Sequence, residues 1–209
     1  MMRIIIADDH VFLRQGVERI LRKEYPTAQI DEVADGEDLV KKVMKQTYDL
    51  VISDVSMPGR GGMEALHAIK EQYPKLPVLM LSMHPEDHYA VRALKAGASG
   101  YLSKSMAPEE LINAVKRVLM GRKYITPLIA EMLTEQFSDE AGKLPHEMLS
   151  DREFEVLKLL AAGIGLSDIG KSLSISATTV STYRTRILEK MNLKTNADLI
   201  RYAFENHLL

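Results

Sequence analysis

Short apolar runs alternate with helical stripes over the first 120 residues. Residues 3–7 form a β-branched run that ends in Asp8-Asp9. Residues 11–23 carry apolar side chains at 13, 17, 20 and 21, which is one face of a helix. Residues 29–33 predict a strand and 37–45 a helix. Residues 50–54 are another apolar strand that ends in aspartate. A helix over 63–73 is stopped by Pro74, and 77–82 is again a continuous apolar strand. Residues 86–96 are helical with Gly97 as C-cap, and 99–102 predict a short strand ending near Lys104. Pro108 marks the start of a helix that runs to about Met120, just before Gly121.

Strands alternating with helices in this way predict an α/β domain built on a doubly wound parallel sheet. Apolar character throughout each strand implies burial on both faces. In such sheets ligands bind beyond the carboxyl ends of the strands. Those ends carry Asp8, Asp9, Asp54, Ser82 and Lys104. The pattern weakens after Gly121. Thr126-Pro127 reads as an N-cap with proline at the first helical position, predicting a helix over 127–137. Residues 138–146 are polar, contain Gly142 and Pro145, and read as linker. The remainder is all helical. Ser150 or Asp151 caps a helix reaching Ala162, a short helix covers 166–173, and Ser174-Ile175-Ser176 is a tight turn. Ser176 caps a helix over 177–191, and Asn196 caps a last one reaching Glu205. The expected organisation is an α/β domain over 1–120, a linker over 121–147 and a four-helix domain over 148–209.

Composition narrows the chemistry. Apolar residues make up 46% and charged residues 27%, as in ordinary globular chains. With no cysteine, thiolate metal sites, iron–sulfur clusters, disulfides and cysteine nucleophiles are excluded. No apolar run is long enough for a membrane span. The first residues are too quickly acidic for a signal peptide, so a cytoplasmic protein is expected. The net charge of −2 says nothing about nucleic acid by itself. Locally, however, Arg184, Arg186, Lys190 and Lys194 face a single acid, Glu189. On charge alone such a cluster fits a solvated helix face.

Asp8, Asp9 and Asp54 gathered on one rim repel each other unless a cation neutralises them. A hard divalent ion such as Mg²⁺ suits an all-oxygen set. Lys104 supplies a point charge for a phosphoryl oxygen, and Ser82 a hydroxyl donor. The set suits an aspartate nucleophile in phosphoryl transfer. His10 reads as a capping or packing residue, and His84 and His88 as solvent-facing. Gly163-Ile164-Gly165 reads as a helix end rather than a dinucleotide loop, and the methionines as packing.

In the second domain, Gly170 lets two helices approach closely, while Ile169, Leu173, Ile175, Val180 and Ile187 pin their crossing. The longer helix then exposes Thr178, Ser181, Thr182, Arg184 and Thr185. Hydroxyls with interspersed arginines suit a helix in a DNA major groove, with Arg184, Arg186 and Lys190 toward phosphates.

Residues 1–120 resemble a two-component receiver domain. The resemblance rests on Ala7-Asp8-Asp9-His10, Asp54-Val55-Ser56-Met57-Pro58 with Gly62, Ser82, and Tyr101-Leu102-Ser103-Lys104. It implies a flavodoxin-like 2-1-3-4-5 sheet and transfer of a phosphoryl group from a histidine kinase to Asp54. It further implies that Asp9 and Asp54 ligate Mg²⁺ directly, Ser56 through its carbonyl and Asp8 through water. Lys104 then pairs with the acyl phosphate, and Ser82 and Tyr101 form a switch in which Tyr101 moves inward. Ser105 stands where many receivers have proline. Leu149-Ser150-Asp151-Arg152-Glu153, Thr179-Val180-Ser181-Thr182-Tyr183 and Ile187-Leu188-Glu189-Lys190-Met191 resemble the LuxR-type helix-turn-helix. Together the two resemble the NarL/FixJ family, which implies a phosphorylation-activated, dimerising regulator of transcription that binds double-stranded DNA and is not a turnover enzyme. Ser181 and Tyr183 stand where that family often has lysine or glutamate and histidine. Two alternatives stay open on sequence. One is an aspartyl phosphatase, although Ser56 occupies the place of its usual second acid. The other is a receiver whose helical tail binds protein or RNA.

Overall fold

A computed structural model describes residues 1–83, 88–138 and 144–208. His84 lies outside the described residues, as do residues 86 and 87 of the helix expected from 86, the side chain of His88 and most of the expected polar linker. The chain divides into two compact units, Met1–Gln136 and Phe137–Leu209.

In the first unit β1 (Arg3–Ala7), β2 (Gln29–Val33), β3 (Leu50–Asp54), β4 (Val78–Ser82) and β5 (Gly100–Ser103) form one parallel sheet in the order β2-β1-β3-β4-β5. The intervening helices are α1 (Val11–Glu24), α2 (Gly36–Lys45), α3 (Gly62–Gln72), α4 (His88–Lys95) and α5 (Pro108–Leu119). This is the expected flavodoxin-like architecture. The β-branched runs form strands because alternate residues find a core on each side. Ile4, Ile6, Leu50, Ile52, Leu79, Leu81 and Leu102 pack with Val17 and Leu21 of α1 and Leu111, Val115 and Val118 of α5. The alternate residues Ile5, Val51, Met80 and Tyr101 are buried too. Burying each large aliphatic side chain contributes roughly 1.5–3 kcal/mol.

The strand order reverses between β1 and β3, which opens a crevice at their carboxyl ends. Asp8 and Asp9 follow one of these strands, and Asp54 ends the other. Gly62, at the start of α3, is needed for this loop. A Cβ there would fall 1.8 Å from the Asp54 carbonyl oxygen. After α5, Tyr124 bridges to Gly100, and α6 follows at Pro127–Ser138, with the Ile129 N–H reaching Thr126 Oγ1 at 3.4 Å.

The second unit holds a short 3-10 helix, Pro145–Met148, inside the segment expected to be linker and loop. Helices α7 (Asp151–Ala161), α8 (Leu166–Ser172), α9 (Ala177–Lys190) and α10 (Asn196–Glu205) follow. Ser150 caps α7 in a reciprocal capping box with Glu153, and Ser176 accepts the Thr179 N–H at 3.0 Å to cap α9. The cap of α10 is Thr195 rather than Asn196, because Thr195 forms the box with Asp198 while the Asn196 side-chain Oδ1 accepts from Arg184. Gly163 has φ +79 and Gly165 precedes α8, so Gly163-Ile164-Gly165 is a helix end. Ser174 turns the chain at φ 53 between α8 and α9. A Cβ on Gly170 would meet the Ile175 carbonyl oxygen at 2.7 Å, so glycine sets the tightness of this turn. Ile169, Leu173, Val180, Ile187 and Met191 are buried, while Ile175 is half-buried. The methionines divide: Met57, Met63, Met80 and Met191 are buried, but Met83, Met120 and Met148 are exposed.

Candidate functional site

The sheet brings the strand-end residues together. Asp54 and Asp8 are buried, and the buried Lys104 side chain reaches both. Its Nζ lies 2.6 Å from Asp54 Oδ2 and 2.8 Å from Asp8 Oδ2. Lys104 is held there by the main chain, since its N–H donates to the Ser82 carbonyl at 2.7 Å across β4 and β5. The Ser56 N–H donates to Asp54 Oδ1 at 3.2 Å, closing the loop after β3 over the carboxylate. Asp9 is partly exposed at the rim. Ser82 is buried at the end of β4.

Burial pushes the Asp54 carboxyl up to about 6. Lys104 pulls against this by hydrogen bond and charge, Asp8 adds to the rise, and the Ser56 N–H opposes it. The carboxylate is thus a desolvated, reactive oxygen beside one ammonium. Donor atoms from Asp8, Asp9, His10 and Asp54 all lie within 4.8 Å of one another. Three acids against one buried lysine leave excess negative charge, and an all-oxygen carboxylate set fits a hard divalent ion.

One expectation changes. His10 sits at the N-cap of α1, but its side chain makes no capping hydrogen bond and instead joins the acids. Only its place directly after the acid pair hints at this in the sequence. Tyr101, expected to form a switch with Ser82, is fully buried on β5.

In the second unit Thr178, Thr182, Thr185 and Arg186 are exposed on α9, and Ser181 and Arg184 are half-buried. Thr182 Oγ1 donates to the Thr178 carbonyl, and Thr185 Oγ1 to the Ser181 carbonyl, each at 3.1 Å. Arg184 Nε donates to Asn196 Oδ1 at 2.5 Å, tying α9 to the start of α10. Lys190, expected among the phosphate-facing cations, is 43% exposed and also pairs with an acid of α7. Its Nζ donates to Glu153 Oε2 at 2.6 Å, so it closes α9 onto the first turn of α7. Burial pushes the Glu153 carboxyl up, but hydrogen bonds from Lys190 and Ser150 outweigh it and leave the group below the usual carboxylate range. The sequence reading missed this pair because its partners lie 37 positions apart.

Comparison with known proteins gives these features a context. Residues 4–116 match the response regulator receiver domain, and residues 147–203 match the bacterial regulatory proteins of the luxR family. Oxygen regulatory protein NreC of Staphylococcus carnosus is 37% identical over 215 residues, covering 100% of this chain and 99% of that one. Response regulator UvrY of Escherichia coli K12 is 34% identical over 209 residues, covering 100% and 96%. The structure of RcsB from Salmonella enterica serovar Typhimurium, bound to promoter rprA in the presence of the phosphomimetic BeF3-, matches with a TM-score of 0.60 and 28% identity over 97% of this chain and 98% of that one. Among the described residues no helix is long and apolar enough to cross a membrane. A receiver fold with an acid pair, a strand-end aspartate and a lysine, followed by a LuxR-type helix-turn-helix, places this chain among the two-component response regulators, as a DNA-binding regulator of transcription.

Proposed function

We propose that Asp54 is the phosphoacceptor and that its phosphorylation controls DNA binding by α9. The observation that carries this reading is the single buried ammonium of Lys104 shared by Asp54 and Asp8 at 2.6 and 2.8 Å. The donor is a phosphohistidine of a sensor kinase. An Asp54 carboxylate oxygen attacks phosphorus, the P–N bond breaks, and the imidazole leaves with the electron pair and takes up a proton. Lys104 then pairs with a phosphoryl oxygen, and Ser82 donates its hydroxyl to another. Asp9, Asp54 and the Ser56 carbonyl would hold Mg²⁺, and Asp8 would act through water. When bound, the ion offsets the charge shared by carboxylates and phosphoryl group. The chain acts on its own aspartate and is not a turnover enzyme, in keeping with Ser56 standing where an aspartyl phosphatase carries its second acid.

Residues 1–120 serve as the receiver, 121–147 as the connection that carries α6, and 148–209 as the DNA-binding domain. Thr178, Ser181, Thr182 and Thr185 face bases, while Arg184 and Arg186 serve phosphates. Lys190 pairs with Glu153 and, being partly exposed, is a third cation for phosphates. RcsB was captured on a promoter with a phosphomimetic, which supports the same coupling here. Phosphorylation favours a homodimer, through the receiver surface of α5 near Tyr101, and the setting is the cytoplasm.

Incubation with acetyl phosphate and Mg²⁺ tests the core of this reading. Mass spectrometry of the intact chain should show one added, hydroxylamine-labile phosphoryl group, absent in Asp54→Asn. Unchanged labelling of that variant would refute the assignment.

A further inference from the structure

His10 has a role at the acidic site that its position in the fold does not require. It occupies the N-cap of α1, yet its side chain caps nothing. Its N–H donates to Asp8 Oδ1 at 2.7 Å, which fixes the main chain beside the crevice. The ring then turns back onto the acids. Its Nδ1 lies 2.8 Å from Asp9 Oδ1 and 3.3 Å from Asp8 Oδ1.

Spacing decides what this can mean. One octahedral ion with ligand bonds of about 2.1 Å holds neighbouring donors about 3 Å apart and opposite donors about 4.2 Å apart. The donor atoms of Asp8, Asp9, His10 and Asp54 all fall within 4.8 Å of one another, close to that spread. Lys104 engages the Oδ2 atoms of Asp8 and Asp54. Their Oδ1 atoms accept single main-chain N–H groups, from His10 and Ser56, and each keeps a further lone pair. The imidazole is 64% exposed, so small ring adjustments cost little packing.

We infer that His10 Nδ1 is a fourth donor of this site and shifts its preference from Mg²⁺ toward Mn²⁺, Co²⁺ and Ni²⁺. The inference rests on the acidic crevice being the metal site of the receiver. Carboxylate and carbonyl oxygens suit Mg²⁺, whereas an imidazole nitrogen favours the later divalent ions, with affinity rising from Mn²⁺ to Ni²⁺. A site with one nitrogen among its oxygens binds both classes and ranks them differently from an all-oxygen site.

The test is metal binding by the full chain, with no phosphoryl donor present. Titration calorimetry at one fixed pH compares wild type, His10→Ala and Asp9→Ala with Mg²⁺ and Ni²⁺. His10→Ala should lower Ni²⁺ affinity tenfold or more and Mg²⁺ affinity by a clearly smaller factor. Asp9→Ala should weaken both. Excess Mg²⁺ should compete for the affected Ni²⁺ site, which separates it from histidines elsewhere. Pulsed electron paramagnetic resonance of bound Mn²⁺ should show coupling to an imidazole nitrogen that disappears in His10→Ala. Equal factors for the two ions, or a nitrogen signal that survives the substitution, overturns the role of His10. If Asp9→Ala also leaves Mg²⁺ binding unchanged, the acidic crevice is not the metal site and the underlying reading fails with it.

Discussion

At the scale of single residues, Asp54 stores a pH dependence. Its carboxyl is pushed up to about 6 by burial, above the ordinary 3.8. The folded chain therefore holds this proton more tightly than the unfolded chain does. That contribution is fully present below pH about 4 and is lost as pH rises through about 6. A rise of about two units corresponds to roughly 3 kcal/mol. In urea unfolding without divalent ions, Asp54→Asn should be more stable than wild type at pH 7.5, and the gap should close as pH falls toward 4.5. A gap that does not change with pH contradicts the strained carboxylate. Lys190 makes an opposite kind of residue-scale case. It pairs at 2.6 Å with a Glu153 carboxylate held below the usual range, a state stabilising above that range and lost on acidification. Lys190→Ala should cost about 0.5–1.5 kcal/mol, less than a fully buried charged hydrogen bond because the lysine is 43% exposed and screened by solvent. Thermal melts of the second unit's transition, compared at neutral and acid pH, check this. The effect should shrink once Glu153 is protonated.

At the scale of elements, α9 divides its labour along its length. Val180, Ile187 and Met191 bury one stripe against the unit's core, leaving Thr178, Thr182 and Thr185 on the outer face. The hydroxyl protons of Thr182 and Thr185 are spent on carbonyls one turn back, so oxygen lone pairs and methyl groups point outward. Such groups accept from exocyclic amines and touch thymine methyls. Thr182→Ala should therefore change the selected DNA sequence while leaving the salt dependence of binding alone. Arg186→Ala should weaken binding to all sequences and flatten the log–log salt slope by roughly one unit, the signature of one lost phosphate contact. Anisotropy titrations over a salt series, with selection from a random duplex pool, separate the two. A flattened slope from Thr182→Ala would undo the division. The sequence carried much of this element plan, because period changes and strand-end acids are local signals. Asp8, Asp9, Asp54, Ser82 and Lys104 could be placed on one rim from strand ends alone. The contacts of α9 with its neighbours could not. Lys190 with Glu153 and Arg184 with Asn196 join residues 37 and 12 positions apart, and nothing in a helical stripe specifies them. Thr195 and Asn196 are both good caps, and only the box with Asp198 decides between them.

At the scale of the whole molecule, the proposed function requires that a chemical event on one compact unit change what the other does on DNA. On the proposed reading, the hydroxyl face of α9 would make individually weak base contacts, and a single module would contribute few phosphate contacts. Pairing two chains multiplies such weak binding, because the second recognition helix then engages its half-site as an intramolecular event. A two-fold dimer also fixes the spacing, with successive major grooves presenting the same face about 10–10.5 base pairs apart. Phosphorylation that shifts the monomer–dimer equilibrium a hundredfold needs only about 2.7 kcal/mol of differential stability. Sedimentation should thus show a larger dimer fraction after treatment with acetyl phosphate and Mg²⁺, and no change in Asp54→Asn. On DNA the treated wild type should bind paired half-sites steeply with protein concentration. Inserting about five base pairs between the half-sites, half a helical turn, should abolish the gain by turning the second groove away. If the treated protein remains monomeric yet binds more tightly, or tolerates the half-turn insertion, phosphorylation acts within one chain and the dimer is not the route.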